Sequence, residues 1–160
     1  MNFINKMDNA SAREISNWKY EHPYSMYSMD GSEECINELL DGSYYVVNNA
    51  KLEIIGFYCF GQSAQVPAGI RSGVYENKNF IDIGLGMNPD VCGKGKGYDF
   101  ISRQIKFAES LFGTYRLRLT VAEFNKRAIS VYTKAGFKQV NDFSRTNEQG
   151  TTKFIVMKLA

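Results

Sequence analysis

The run Met87-Asn88-Pro89-Asp90-Val91-Cys92-Gly93-Lys94-Gly95-Lys96-Gly97-Tyr98 decides the reading of this chain. Glycines at three alternate positions let the backbone adopt conformations closed to other residues and keep side chains away from an approaching ligand. On its N-terminal side, residues 80–87 alternate as a strand does. On its C-terminal side, residues 98–112 place Ile101, Ile105, Ala108 and Phe112 along one helical stripe. A helix that begins just after such a turn offers unpaired N–H groups and the positive end of its dipole, which together make a phosphate site. Lys94 and Lys96 add positive charge. The plain alternative is a flexible turn with two solvated lysines.

Spacing separates this turn from the common nucleotide loops. A Walker loop requires GxxxxGK[ST], and the chain has none. A dinucleotide fingerprint requires GxGxxG, whereas the spacing here is GxGxG, and it lies mid-chain instead of opening the first βαβ unit.

Outward from the turn, the chain reads as a mixed α/β sheet. Residues 2–5 form a short strand. Asp8 or Ser11 caps a helix reaching about Trp18, and Ser32 opens a second helix that stops at Gly42. Residues 44–47 and 52–60 read as a hairpin about an Asn48-Asn49 turn. Residues 62–79 read as a long polar connection. Residues 116–121 are a strand, 125–135 a helix stopped by Gly136, and 137–140 and 154–159 two final strands. The expected architecture is one domain over residues 1–160, a central mixed sheet flanked by about four helices.

Composition narrows the functional classes. With 44% hydrophobic and 22% charged residues, a chain of 160 residues suits a globular domain with a real core. Net charge is +2 with no basic block, which argues against nucleic-acid binding. The apolar runs are too short to span a bilayer and the N-terminus has no signal-peptide pattern, so the expected address is the cytosol. Cys35, Cys59 and Cys92 are widely spaced and His22 is the single histidine, so neither a zinc site nor a disulfide framework is expected.

Two motifs together resemble the GNAT superfamily of N-acetyltransferases. The first is Cys92-Gly93-Lys94-Gly95-Lys96-Gly97, which matches that family's Gln/Arg-x-x-Gly-x-Gly/Ala loop except that Cys92 replaces Gln/Arg. The second is Asn125-x-x-Ala128-x-x-x-Tyr132-x-x-x-Gly136-Phe137, which follows a strand at the family's usual separation. The resemblance covers about residues 52–140.

The resemblance implies an acetyl-CoA-dependent N-acetyltransferase. It implies pantetheine contacts along Leu85, Gly86 and Met87, and a pyrophosphate on the backbone of Gly93 to Tyr98, so that Cys92, Gly93, Lys94, Gly95, Lys96, Gly97 and Tyr98 form the cofactor loop. Gly84 and Gly86 leave one strand face bare, which close approach of a ligand explains better than packing alone. Asn125 and Ala128 then face the pantetheine. Asn125 equally suits a helix N-cap. Asn125 and Tyr132 lie seven residues apart, two turns on one face. Tyr132 is the implied general acid toward the departing thiolate, against the alternative of a packed aromatic.

Attack on the thioester requires a neutral amine, and a lysine amine with a pKa near ~10.4 is mostly charged at neutral pH. Asp82, on the strand face of Gly84 and Gly86, is a candidate base, and equally a partner for a basic neighbour. Glu21, Glu53 and water are the other candidates. Within the aromatic run of residues 18–27, Tyr24 and Tyr27 are expected to wall an acceptor pocket, with Glu21 attracting a cationic amine; a surface aromatic cluster is the alternative. The acceptor is a small amine or a protein N-terminus or lysine. No metal is implied. A homodimer is common in the family, but no feature here demands one. The alternative from another class is a non-catalytic acyl-CoA-binding sensor on the same fold.

Overall fold

The structure is a computed structural model, and it describes residues 2–160. The strands are β1 (Phe3–Lys6), β2 (Tyr44–Asn48), β3 (Ile54–Phe60), β4 (Ile81–Met87), β5 (Leu117–Ala122), β6 (Lys138–Asn147) and β7 (Gly150–Leu159). The helices are α1 (Asn9–Ser16), α2 (Glu33–Leu39), α3 (Pro67–Arg71), α4 (Gly97–Phe112) and α5 (Lys126–Lys134), with 3₁₀ turns at Tyr24–Tyr27 and Gly61–Ala64. Hydrogen bonding orders the strands β1-β2-β3-β4-β5-β7-β6 in a seven-stranded mixed sheet. The chain forms two compact units, Met1–Cys59 with Leu85–Lys94, and Phe60–Gly84 with Gly95–Ala160.

In the first unit, β1 and β3 each pair antiparallel with β2. Asp8 caps α1 by accepting the Ser11 N–H at 2.8 Å, and Ser32 caps α2 by accepting that of Cys35 at 3.1 Å. These caps satisfy amide donors that a helix start leaves open. The apolar faces of both helices then bury Ala12, Ile15, Ile36 and Leu39 with Val46 of β2. Trp18 and Phe57 pack on that cluster.

In the second unit, β4 and β5 pair in parallel, β7 pairs antiparallel with β5, and β6 with β7. One core cluster joins Ala68, Val74, Tyr75, Ala122, Phe143, Phe154 and Val156.

Three expectations need correction. Residues 62–79 are no loose connection: they hold the second 3₁₀ turn and α3, which brings the α-helices to five, and they bury Ala68, Val74 and Tyr75. The last two strands are ten residues each, because β6 continues through the polar stretch from Asn141 to Asn147 by backbone pairing to β7. The stripe of α4 is Phe100, Ile101, Gln104 and Ala108; Phe112 is 43% exposed. Among the described residues, no helix is long and apolar enough to cross a membrane.

Candidate active site

The glycine turn takes the shape its composition demands. Gly93 and Gly95 have φ of +77° and +76°, left-handed values that side-chain-bearing residues avoid. Asn88 anchors the turn's first half. Its side-chain amide donates to the Ile54 carbonyl at 2.9 Å, its backbone N–H donates to Ile55 at 2.9 Å, and its own carbonyl accepts from Cys92 at 3.0 Å. The Cys92 thiol points at the Pro89 carbonyl, 3.5 Å away.

The second half runs into α4, whose first turn has no side-chain cap. A Cβ added at Gly95 would meet no atom within 4 Å, so the backbone there is open. At Gly97 an added Cβ would stand 3.3 Å from Val131, so glycine lets α4 lie close to α5. Lys94, Lys96 and Tyr98 are exposed, and the Lys134 ammonium stands 4.8 Å from the centre of the Tyr98 ring.

The β4–β5 register covers Ile81–Ile83 against Leu117–Leu119 and ends there, although β5 continues to Ala122. The next carbonyl of β4, that of Gly84, accepts from the Gln104 side chain of α4 at 2.9 Å. Farther along β4, Gly86 has a packing reason of its own. An added Cβ would sit 2.3 Å from Phe57 Cε2, so the bare face is filled by that ring and needs no ligand to explain it. The Met87 carbonyl accepts from the Tyr20 hydroxyl at 2.6 Å. Burial, with a smaller contribution from nearby Cys92, pushes the Tyr20 phenol well above its ordinary value, which keeps it a donor.

Asp82 lies at the start of the same strand, buried and fully engaged. Arg118 Nε donates to Oδ1 at 2.6 Å and Nη2 to Oδ2 at 2.8 Å, and Gln65 Nε2 donates to Oδ2 at 2.8 Å. Arg118 also donates to the carbonyls of Asn77 and Tyr75. The pairing expected for a strand aspartate with a basic neighbour is therefore present.

On α5, Asn125 caps the helix, its Oδ1 accepting the Ala128 N–H at 3.2 Å. Tyr132 is half-buried and meets Phe137 edge-on, with ring centres 6.3 Å apart. In the N-terminal stretch, Tyr24 and Tyr27 share the first 3₁₀ turn, and the Glu21 carbonyl accepts the Tyr24 N–H at 2.7 Å. Glu21 is exposed, and the Glu53 carboxylate accepts from Asn49 in the hairpin turn. Leu85, Gly86, Met87, Cys92, Gly93 and Lys94 thus share the first unit with Glu21, Tyr24 and Tyr27. Asp82, Gly95, Lys96, Gly97, Tyr98, Asn125, Ala128 and Tyr132 belong to the second. Among the described residues no cluster of His, Cys, Asp and Glu has the makings of a metal site.

Residues 9–137 match the model of the acetyltransferase (GNAT) family. The chain belongs to the GNAT acetyltransferase family. That family comprises acetyl-CoA-dependent N-acetyltransferases. Solved GNAT enzymes share the fold. The spermidine/spermine N-acetyltransferase of Vibrio cholerae, solved with manganese ions, is 17% identical with a TM-score of 0.69, over 99% of this chain and 91% of that one. A GNAT-family acetyltransferase of Bacillus anthracis is 13% identical with a TM-score of 0.74, over 99% and 93%. No curated protein matches by sequence.

The residues present suit the acyl donor of the GNAT family. An α4 start without a side-chain cap, and a Gly95 backbone with nothing in front of it, leave amide donors open to phosphate oxygens. Four side chains that make the contacts described above were not visible as such in the sequence. They are Tyr20, Gln65, Gln104 and Arg118. Arg118 carried a usable signal, a charge amid the apolar Leu117, Leu119 and Val121, which in register faces the one charge of β4, Asp82.

Proposed function

We propose that the protein transfers the acetyl group of acetyl-CoA to a primary amine that attacks the thioester directly. The observation that carries this reading is the pair of left-handed glycines, Gly93 and Gly95, leading into the uncapped first turn of α4. In this reading the N–H groups from Gly93 to Tyr98 hold the pyrophosphate, with Lys94 and Lys96 supplying charge. Charge-assisted hydrogen bonds of this kind contribute roughly 1.5–3 kcal/mol each. The backbone of Leu85, Gly86 and Met87 pairs with the pantetheine, and Asn125 and Ala128 flank it.

Tyr132 gives its phenolic proton to the departing thiolate as the C–S bond breaks. The amine proton leaves through water. Asp82 is unsuited to take it, since Arg118 and Gln65 already occupy both of its oxygens. Asp82 holds β4 against β5 instead. Glu21, exposed just before the 3₁₀ turn that carries Tyr24 and Tyr27, attracts the cationic acceptor before it loses its proton.

Calorimetric titration with acetyl-CoA, with CoA, ATP and NAD as controls, tests the reading, followed by an amine screen read by thiol release. Micromolar binding of acetyl-CoA without ATP or NAD binding, and thiol release that depends on an added amine, is the expected result. A folded protein that binds no acetyl-CoA would refute it.

A further inference from the structure

The buried stripe of α4 is apolar except at one position. Gln104 is 0% exposed on the same helix as Ile101 and Ala108, also at 0%. Its Nε2 donates to the Gly84 carbonyl, while its Oε1 is buried with no hydrogen-bond partner among the described residues. An unpaired buried amide oxygen is costly, and leucine at this position would avoid that cost. The donor end is therefore what the position uses. Its target, Gly84, is the first residue beyond the paired register of β4 and β5, which ends at Ile83 and Leu119.

We infer that Gln104 is a positioning residue for the acyl donor: its amide ties α4 to β4 at the point where the β5 register ends. Gln104 and Gly97 are seven residues apart, two turns along one helix face. Gly97 lies against Val131 of α5. The helix whose first turn offers donors to phosphate is thus fixed at its start by close packing. Two turns on, one side-chain hydrogen bond fixes it to the strand that continues into Leu85–Met87. Without that bond the Gly84 carbonyl loses its side-chain donor, and α4 loses its tie to β4 at that residue. The inference rests on the reading that Leu85–Met87 and the α4 start receive acetyl-CoA.

The test compares Gln104→Met, which keeps the shape and removes the donor, with Ile101→Val, a packing change on the same face. Calorimetry should show the acetyl-CoA Kd of Gln104→Met raised at least tenfold, and that of Ile101→Val within twofold of wild type. Equal loss in both variants, or none in Gln104→Met, overturns the role of Gln104. Nitrogen-15 NMR of the wild-type protein needs no variant to fold. The Gln104 side-chain NH₂ protons should exchange slowly with solvent and shift when acetyl-CoA is added; fast exchange or no shift overturns the inference. A wild type that binds no acetyl-CoA sinks the underlying reading, a result distinct from a wild type and a Gln104→Met variant that bind equally well.

Discussion

Arg118 grips both oxygens of Asp82 across the parallel pair β4–β5, with Nε to Oδ1 at 2.6 Å and Nη2 to Oδ2 at 2.8 Å. Both side chains are removed from water, at 1% and 6% of full exposure. Such a pair contributes little over an apolar one, but losing a single partner strands the other charge. Asp82→Asn should therefore cost about 3–5 kcal/mol of stability, read from the urea unfolding midpoint. Unchanged stability with abolished turnover would instead make Asp82 the base.

Tyr132→Phe keeps the ring and its edge-on contact with Phe137 and removes only the hydroxyl. Turnover should fall by about 100-fold or more, the usual contribution of a positioned proton donor. Acetyl-CoA affinity should stay within about twofold, by calorimetry. Turnover equal to wild type would remove Tyr132 from the chemistry.

Two glycines should fail for different reasons. At Gly95 an added methyl has open space, so the cost of Gly95→Ala is the left-handed backbone, about 1–2 kcal/mol. The turn would relax, and acetyl-CoA binding should weaken by about tenfold or more. At Gly86 the methyl meets the Phe57 ring at 2.3 Å, an overpacking cost of about 1–3 kcal/mol. Thermal unfolding together with calorimetry checks both. Full affinity in Gly95→Ala would count against the phosphate role of the turn.

Alkaline pH should unfold the protein ahead of ordinary tyrosine-bearing chains. Burial raises the phenols of Tyr20, Tyr44 and Tyr75 above their ordinary value. Once the unfolded phenols begin to ionise, near pH ~10, the folded state binds more protons than the unfolded one, so stability falls as pH rises. Below that value this contribution is fully present. Urea midpoints should be flat from about pH 8 to 9 and drop above about 10, with a shallower drop in Tyr20→Phe. An equal slope in that variant would show that Tyr20 ionises freely.

Much of this was legible in the residues. Asp8 and Ser32 are capping residues by type and cap α1 and α2 in the structure. The strand, glycine turn and helix unit also stands where the alternation and the Gly93-Lys94-Gly95 run put it. What escaped depends on partners distant in sequence. The helix α3 is five residues long and opens on Pro67, too short to show a period. The fully buried Gln104 breaks the apolar stripe of α4 for the sake of a carbonyl twenty residues away. Gly86 looked like an opening for a ligand because nothing local reveals that Phe57 fills its face. The tail of β6 is polar at most positions and is a strand because β7 runs beside it.

The position of β7 bears on how the chain is made. It is synthesised after β5 and β6, yet it lies between them, pairing from Leu117↔Leu159 to Ala122↔Phe154 on one side and from Lys138 to Asn147 on the other. Until Gly150–Leu159 has left the ribosome, β5 and β6 each present that edge without its partner, and Phe154 and Val156 are missing from the core cluster of the second unit. A nascent chain stalled before that point carries open sheet edges of the kind that other chains pair with. The closing of this unit therefore waits on the synthesis of β7, and a chain cut short before Gly150 exposes aggregation-prone edges instead of giving a weakened enzyme.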